Sequence, residues 1–172
     1  MNKQLSSNSF NGLFNLIIYP LLGVGLAFLI CTFVIQRAVV VGDSMEPNYH
    51  NGESKFVDKV TYKCLGMKRF NVIVCKSPLN NDELLIKRVI ALPGEKIQIT
   101  ENGDIYINDE LLQENYGKER MMNAGIALHG ITLGDNQYFV LGDNRNNSVD
   151  SRLDGIGPID EDLIIGRIIN SK

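Results

Sequence analysis

Between Leu13 and Ile35 the chain reads LFNLIIYPLLGVGLAFLICTFVI, without one charged side chain. No other feature of the 172 residues restricts the fold as strongly. As a helix this run rises roughly 34 Å at about 1.5 Å per residue, enough to cross the hydrocarbon core of a bilayer. Pro20, Gly23 and Gly25 are better tolerated in a membrane helix than in a soluble one. A cleaved secretory signal has a shorter apolar region, about 7–15 residues, and a small-residue cleavage site after it. This run is longer and no such site follows. A lipoprotein cut before Cys31 is disfavoured by the bulky Ile30. A buried helix of a soluble domain is the lesser alternative. The expected organisation is a short cytoplasmic tail over 1–12, a single transmembrane helix over 13–36 and a β-rich domain over 37–172. Lys3 on one side and Arg37 on the other leave the positive-inside rule almost undecided.

After Arg37 the pattern changes to short apolar runs separated by turn residues. Strands are expected over Ala38–Val41, Lys55–Val60, Asn71–Cys75, Leu84–Ile90, Lys96–Thr100, Asp104–Ile107, Gln137–Leu141 and Leu163–Ile169. Turn clusters punctuate them: NGE at 51–53, PGE at 93–95, ENGD at 101–104 and LGDN at 133–136. ENGD between two alternating runs predicts a hairpin. GDN occurs at 134–136 and again at 142–144, which reads as two turns flanking one strand. Asn115–Leu128 fits either a loop or a short helix. Many short strands without long alternating helices predict a mainly β fold: a compact, largely antiparallel β domain behind the N-terminal helix.

Composition removes several functions. Charged residues are 22% and hydrophobic residues 44%, so the chain is neither disordered nor wholly membrane-embedded. With a net charge of −3 and no long basic run, nucleic acid is not an expected partner. Cys31, Cys64 and Cys75 form no CxxC pair, and His50 and His129 lie far from any ligand-like cluster, so no metal or other cofactor is expected. Cys64 and Cys75 either form a disulfide, if the domain lies outside the cytoplasm, or remain two free thiols.

Two segments suit nucleophilic chemistry. VVGDSMEP at 40–47 places Ser44 just after a strand, and a serine nucleophile needs a base. Nothing around either histidine resembles a serine-protease histidine segment. LLIKRVIALPGE at 84–95 places Lys87 inside an apolar strand. If that side chain faces the interior, burial lowers its pKa and supplies a neutral amine as base.

Three motifs in order, GDSMEP at 42–47, KRVIALPGE at 87–95 and GDNRNNSVDSR at 142–152, follow the apolar run. This arrangement resembles the type I signal peptidase family, in its Gram-positive-like branch, from the anchor nearly to the C-terminus. The third motif is the most specific, matching at Gly142, Asp143, Asn144, Arg145, Ser148, Asp150, Ser151 and Arg152. INDELLQENY at 107–116 also looks like the family's segment between the second and third motifs. By position, the resemblance makes Ser44 the nucleophile and Lys87 the general base, with Ser148 helping to place the amine. Arg88 with Asp143, and Asp150 with Arg152, resemble supporting ion pairs. The Ser44 N–H is one oxyanion donor; Gly42 stands where some members carry a second, hydroxyl donor. Asn48-Tyr49 replaces the usual Thr-Leu, Ala91 a usual glycine and Asn71 a usual aspartate.

The resemblance implies a membrane-bound serine endopeptidase that removes signal peptides from preproteins through an acyl-enzyme. Its substrates would carry small side chains at the first and third positions before the cut, and would bind as an added strand. About eight residues separate Ile35 from Ser44, which keeps the serine within roughly 30 Å of the membrane boundary. Membrane lipid is thus a second partner, and the domain belongs on the extracytoplasmic face. The alternative is an accessory factor working with pilus or surface-protein assembly components, with little or no proteolysis. A soluble serine/lysine self-cleaving repressor is opposed by the apolar span and the third motif. A plain tethered binding domain has no positive signal.

Overall fold

The structure, a computed structural model, describes residues 4–80 and 82–169. A single helix, α1, runs Gln4–Phe33. Most of its apolar side chains from Phe14 to Phe28, including Leu16, Ile17, Leu21, Leu22, Val24 and Leu26, are exposed, and Ile18 is half-buried. Among the described residues, no helix is long and apolar enough to cross a membrane. The chain leaves α1 directly into a strand, β1 (Ile35–Val39), which starts and ends two to three residues earlier than the expected Ala38–Val41. Val40 extends the pairing by donating to Glu53 O and accepting from Gly52 N, each at 2.8 Å.

The remaining strands are β2 (Ser54–Asp58), β3 (Val72–Lys76), β4 (Leu84–Ala91), β5 (Lys96–Ile99), β6 (Ile105–Ile107), β7 (Glu110–Leu111), β8 (Ile131–Thr132), β9 (Gln137–Leu141), β10 (Ile159–Asp160) and β11 (Ile164–Ile168). One sheet has the order β1-β2-β11-β3-β4-β9-β10 and a second the order β7-β6-β5-β8. Every pairing is antiparallel. The expected hairpin is present: Ile99 faces Ile105 across the ENGD turn, and Gly103 supplies its positive φ of 79°. The two GDN turns do flank β9.

The strand expected to reach Val60 stops at Asp58. The Asp58 carboxylate accepts the backbone N–H of Val60 at 3.1 Å and of Thr61 at 2.8 Å, which starts the short helix α2 (Thr61–Leu65). Of the ambiguous 115–128 stretch, most is irregular, and a 3₁₀ turn begins at Gly125. Cys64 is exposed and Cys75 buried, and both are free thiols, so the disulfide alternative fails. Cys31 lies outside the described side chains.

Successive residues of β4 face opposite sides of the sheet. Leu85 and Val89 join a core with Ile73, Cys75, Tyr138, Val140 and Ile164. Ile86 packs against another with Val40, Met45, Val57, Val72 and Val74. Ile90 and Ala91 join a third, formed largely by the small sheet with Phe139 and Leu141. β4 is therefore buried on both faces, and any polar side chain on it must find partners inside the protein.

Candidate active site

The loop after β1 and the loop after β9 come from strands five places apart in the sheet order, yet they meet. Asn144 donates its backbone N–H to Ser44 O at 2.9 Å and its side-chain amide to Asp43 O at 3.0 Å. Gly142 is required at this junction. A Cβ there would lie 2.2 Å from Ser148 Oγ and 2.6 Å from Ser44 O. Met45, beside the serine, is buried in the core and fixes the loop from below.

The two loops deliver Ser44 to β4. Lys87 Nζ lies 2.8 Å from Ser44 Oγ and donates to Ile86 O at 3.0 Å. Lys87 is only 3% exposed. Burial pushes its amine below the ordinary lysine value, while the nearby negative groups Asp150, Cys75 as thiolate, Asp143 and Glu83 pull the other way. The Cys75 thiol is itself pushed up to about 12 by burial. It is uncharged at neutral pH, so only the carboxylates oppose desolvation there. A hydroxyl in contact with a buried amine can be deprotonated to a nucleophile when that amine is neutral.

Arg88, the next residue, turns to the opposite face. Its Nε and Nη2 donate to Asp143 Oδ1 and Oδ2 at 2.8 and 2.6 Å, and both side chains are fully buried. Arg88 Nη1 donates to Phe70 O at 2.9 Å, and its guanidinium lies 3.8 Å above the Tyr116 ring. Asp150 takes two hydrogen bonds from the Arg152 guanidinium, each 2.8 Å, and accepts Gly142 N–H at 3.0 Å. That pair holds the turn preceding Ser148.

The structure thus unites Ser44 with Lys87, Arg88 with Asp143, and Asp150 with Arg152. Two expected contacts are not formed. Ser148 Oγ is buried beside Gly142 but has no hydrogen-bond partner among the described residues, and it makes no hydrogen bond to Lys87 Nζ. The Gly42 N–H is taken by Asn51 Oδ1 at 3.1 Å, so it is not free to act as an oxyanion donor; its φ of 87° is what glycine allows there. Among the described residues the Ser44 N–H has no acceptor. Sequence reasoning assigned nothing to Asn144, although it lies within the third motif. It also missed Asn48, Tyr116 and the buried ion pair of Arg145 with Glu114 at 2.6 Å. Only three-dimensional contact reveals those, because their partners are distant in sequence.

The family model described as "Signal peptidase, peptidase S26" matches residues 13–170. Signal peptidase I of Bacillus licheniformis is 34% identical over 96% of this chain and 91% of its own length. Signal peptidase I S of Bacillus subtilis is 38% identical, covering 84% of this chain and 80% of the relative. The crystal structure of a signal peptidase I from Enterococcus faecalis superposes with a TM-score of 0.51 at 31% identity, over 60% of this chain and 97% of that one.

Proposed function

Because the chain belongs to the signal peptidase family, peptidase S26, and so is a serine peptidase that removes signal peptides from preproteins, we propose that it does so with Ser44 as nucleophile and Lys87 as general base. The observation that carries this assignment is the 2.8 Å approach of Lys87 Nζ to Ser44 Oγ with the lysine 3% exposed. The neutral amine takes the Ser44 proton as Oγ attacks the carbonyl carbon of the scissile amide. The Ser44 N–H faces the developing oxyanion. The resulting ammonium returns its proton to the leaving amine, and the amine then activates the water that hydrolyses the ester. Ser148, with a buried hydroxyl that has no partner, suits a second contact for the amine once Ser44 is acylated. Arg88–Asp143 and Asp150–Arg152 hold the dyad's two loops in place.

The charge-free apolar run of the sequence that begins at Leu13, most of whose described side chains are exposed, is read as the membrane anchor, with residues 1–12 cytoplasmic and the β domain outside. A signal peptide still in the bilayer then presents its cleavage site close to Ser44, at high effective concentration. Small residues at the first and third positions before the cut are expected of the substrate. A non-proteolytic assembly role is not favoured, since serine and lysine are both present and in contact.

The test is processing of preproteins co-expressed with the full chain, wild type against Ser44→Ala, with the membrane fraction washed at alkaline pH. Wild type is expected to shorten the preproteins and to stay with the membrane, and the variant to leave them uncut. Processing by a folded Ser44→Ala would refute the nucleophile, and release by the wash would refute the anchor.

A further inference from the structure

We propose that Asn48 is a positioning residue for the reaction: its carboxamide ties the loop carrying Ser44 to the Asp143 carboxylate and to the backbone at Tyr116, and so sets Ser44 against Lys87. The proposal rests on the dyad reading above. Asn48 Nδ2 donates to Asp143 Oδ2 at 3.0 Å and to Tyr116 O at 3.0 Å. The two acceptors lie 95 and 68 residues away in sequence. One amide nitrogen carries two N–H groups, so a single side chain satisfies both. Threonine has one O–H and could serve only one of them.

The contact is stiff at both ends. Asn48 N and Tyr49 N both donate to Met45 O, at 3.1 and 3.0 Å, and Met45 and Tyr49 are buried. Asn48 therefore moves with the turn that carries Ser44. At the far end Asp143 is held by both prongs of Arg88, and Arg88 adjoins Lys87 on β4. Contacts thus run from Ser44 through Asn48, Asp143 and Arg88 back to Lys87. A displacement of a reacting group by a fraction of an ångström lowers the rate, and the Asn48 amide, taken up by Asp143 and Tyr116, gives the variant little reason to change substrate affinity.

Asn48 also moderates a charge. Lys87 is faced by Asp150, Cys75, Asp143 and Glu83, of which the carboxylates favour its protonated form. The one hydrogen bond that Asn48 donates to Asp143 reduces that carboxylate's pull on the amine. Without it the protonated form gains, and the alkaline limb of activity moves to higher pH.

The experiment uses the full chain in detergent with a peptide spanning a signal cleavage site. Asn48→Leu keeps the size and removes both donors; Asn48→Thr keeps one. For Asn48→Leu the expected kcat is about tenfold lower or less, with KM within about twofold and the alkaline limb shifted upward. Asn48→Thr should fall between, about threefold down in kcat, and it decides the question if Asn48→Leu does not fold. A folded variant with wild-type kcat and limb would overturn the proposal. So would one in which only the melting temperature moves, because that is a structural role alone. An inactive wild type, or an active Ser44→Ala, would instead overturn the dyad itself and this role with it. An active wild type beside an indifferent Asn48→Leu overturns the role and leaves the dyad standing.

Discussion

Lys87 and Arg88 are consecutive cations on one strand, and both are buried, at 3% and 0% exposure. Alternation sends them to opposite faces of β4, and there they meet different partners. Arg88 meets a carboxylate held in two-pronged contact, a backbone carbonyl and an aromatic face. A guanidinium so surrounded stays charged and fastens the site. Lys87 meets a serine hydroxyl and one carbonyl, and among the described residues no carboxylate is in ion-pair contact with it. An amine desolvated without a counter-ion is driven toward its neutral form, and a neutral amine is a base. The same depth of burial therefore yields a brace on one face and a reactive group on the other. The partner decides which.

The largest expected effect separates the two faces by readout. Lys87→Met and Ser44→Ala should each abolish cleavage, and the double variant should be little worse than either, because the two act as one unit. Thermal unfolding of Lys87→Met should match or exceed wild type, since no ion pair is lost and a desolvated amine is replaced by an apolar chain of similar size. Turnover by either single variant, or a strongly destabilised Lys87→Met, would break the contrast.

Asp143→Ala attacks the other face. It takes from the buried Arg88 the carboxylate that both its prongs reach, and the cost should be about 3–5 kcal/mol, read from urea unfolding. Activity should fall as a consequence, because the Ser44 loop loses its tie. An undiminished unfolding midpoint would mean that Arg88 is not held as a buried cation.

The smallest effect belongs to Ser148→Ala. The hydroxyl has no partner in the resting site, so its removal should leave the melting temperature unchanged or slightly raised. If the hydroxyl steadies the amine during turnover, kcat should drop by about tenfold or less. An unchanged kcat would remove Ser148 from the machinery.

Much of this was legible from the sequence, for physical reasons. β9 falls at Gln137–Leu141 as read, because turn residues bound an apolar run on both sides. β4 was legible for the same reason, and an apolar strand around Lys87 implied burial if the side chain turned inward. Local patterning could not show β7, β8 or β10, each two residues long and defined by its partner strand. It missed α2 because one side chain, Asp58, ends the preceding strand by capturing two amides. In the site, the motifs located Ser44, Lys87 and both ion pairs. They did not reveal that the Gly42 N–H is held by Asn51, or that Asn48 reaches Asp143. Those contacts depend on which loops meet, which alternation within a segment does not encode.

The pH dependence of kcat/KM for wild type and Lys87→Arg, on a peptide spanning a signal cleavage site, tests the central claim most directly. Only the unprotonated amine is a base, so activity should rise as pH passes the Lys87 pKa. Burial places that rise below the ordinary lysine value of about 10.4. Lys87→Arg keeps the charge but cannot deprotonate in this range, and should be inactive at every pH. A wild-type profile flat from acid to alkali, or an active Lys87→Arg, would contradict the account.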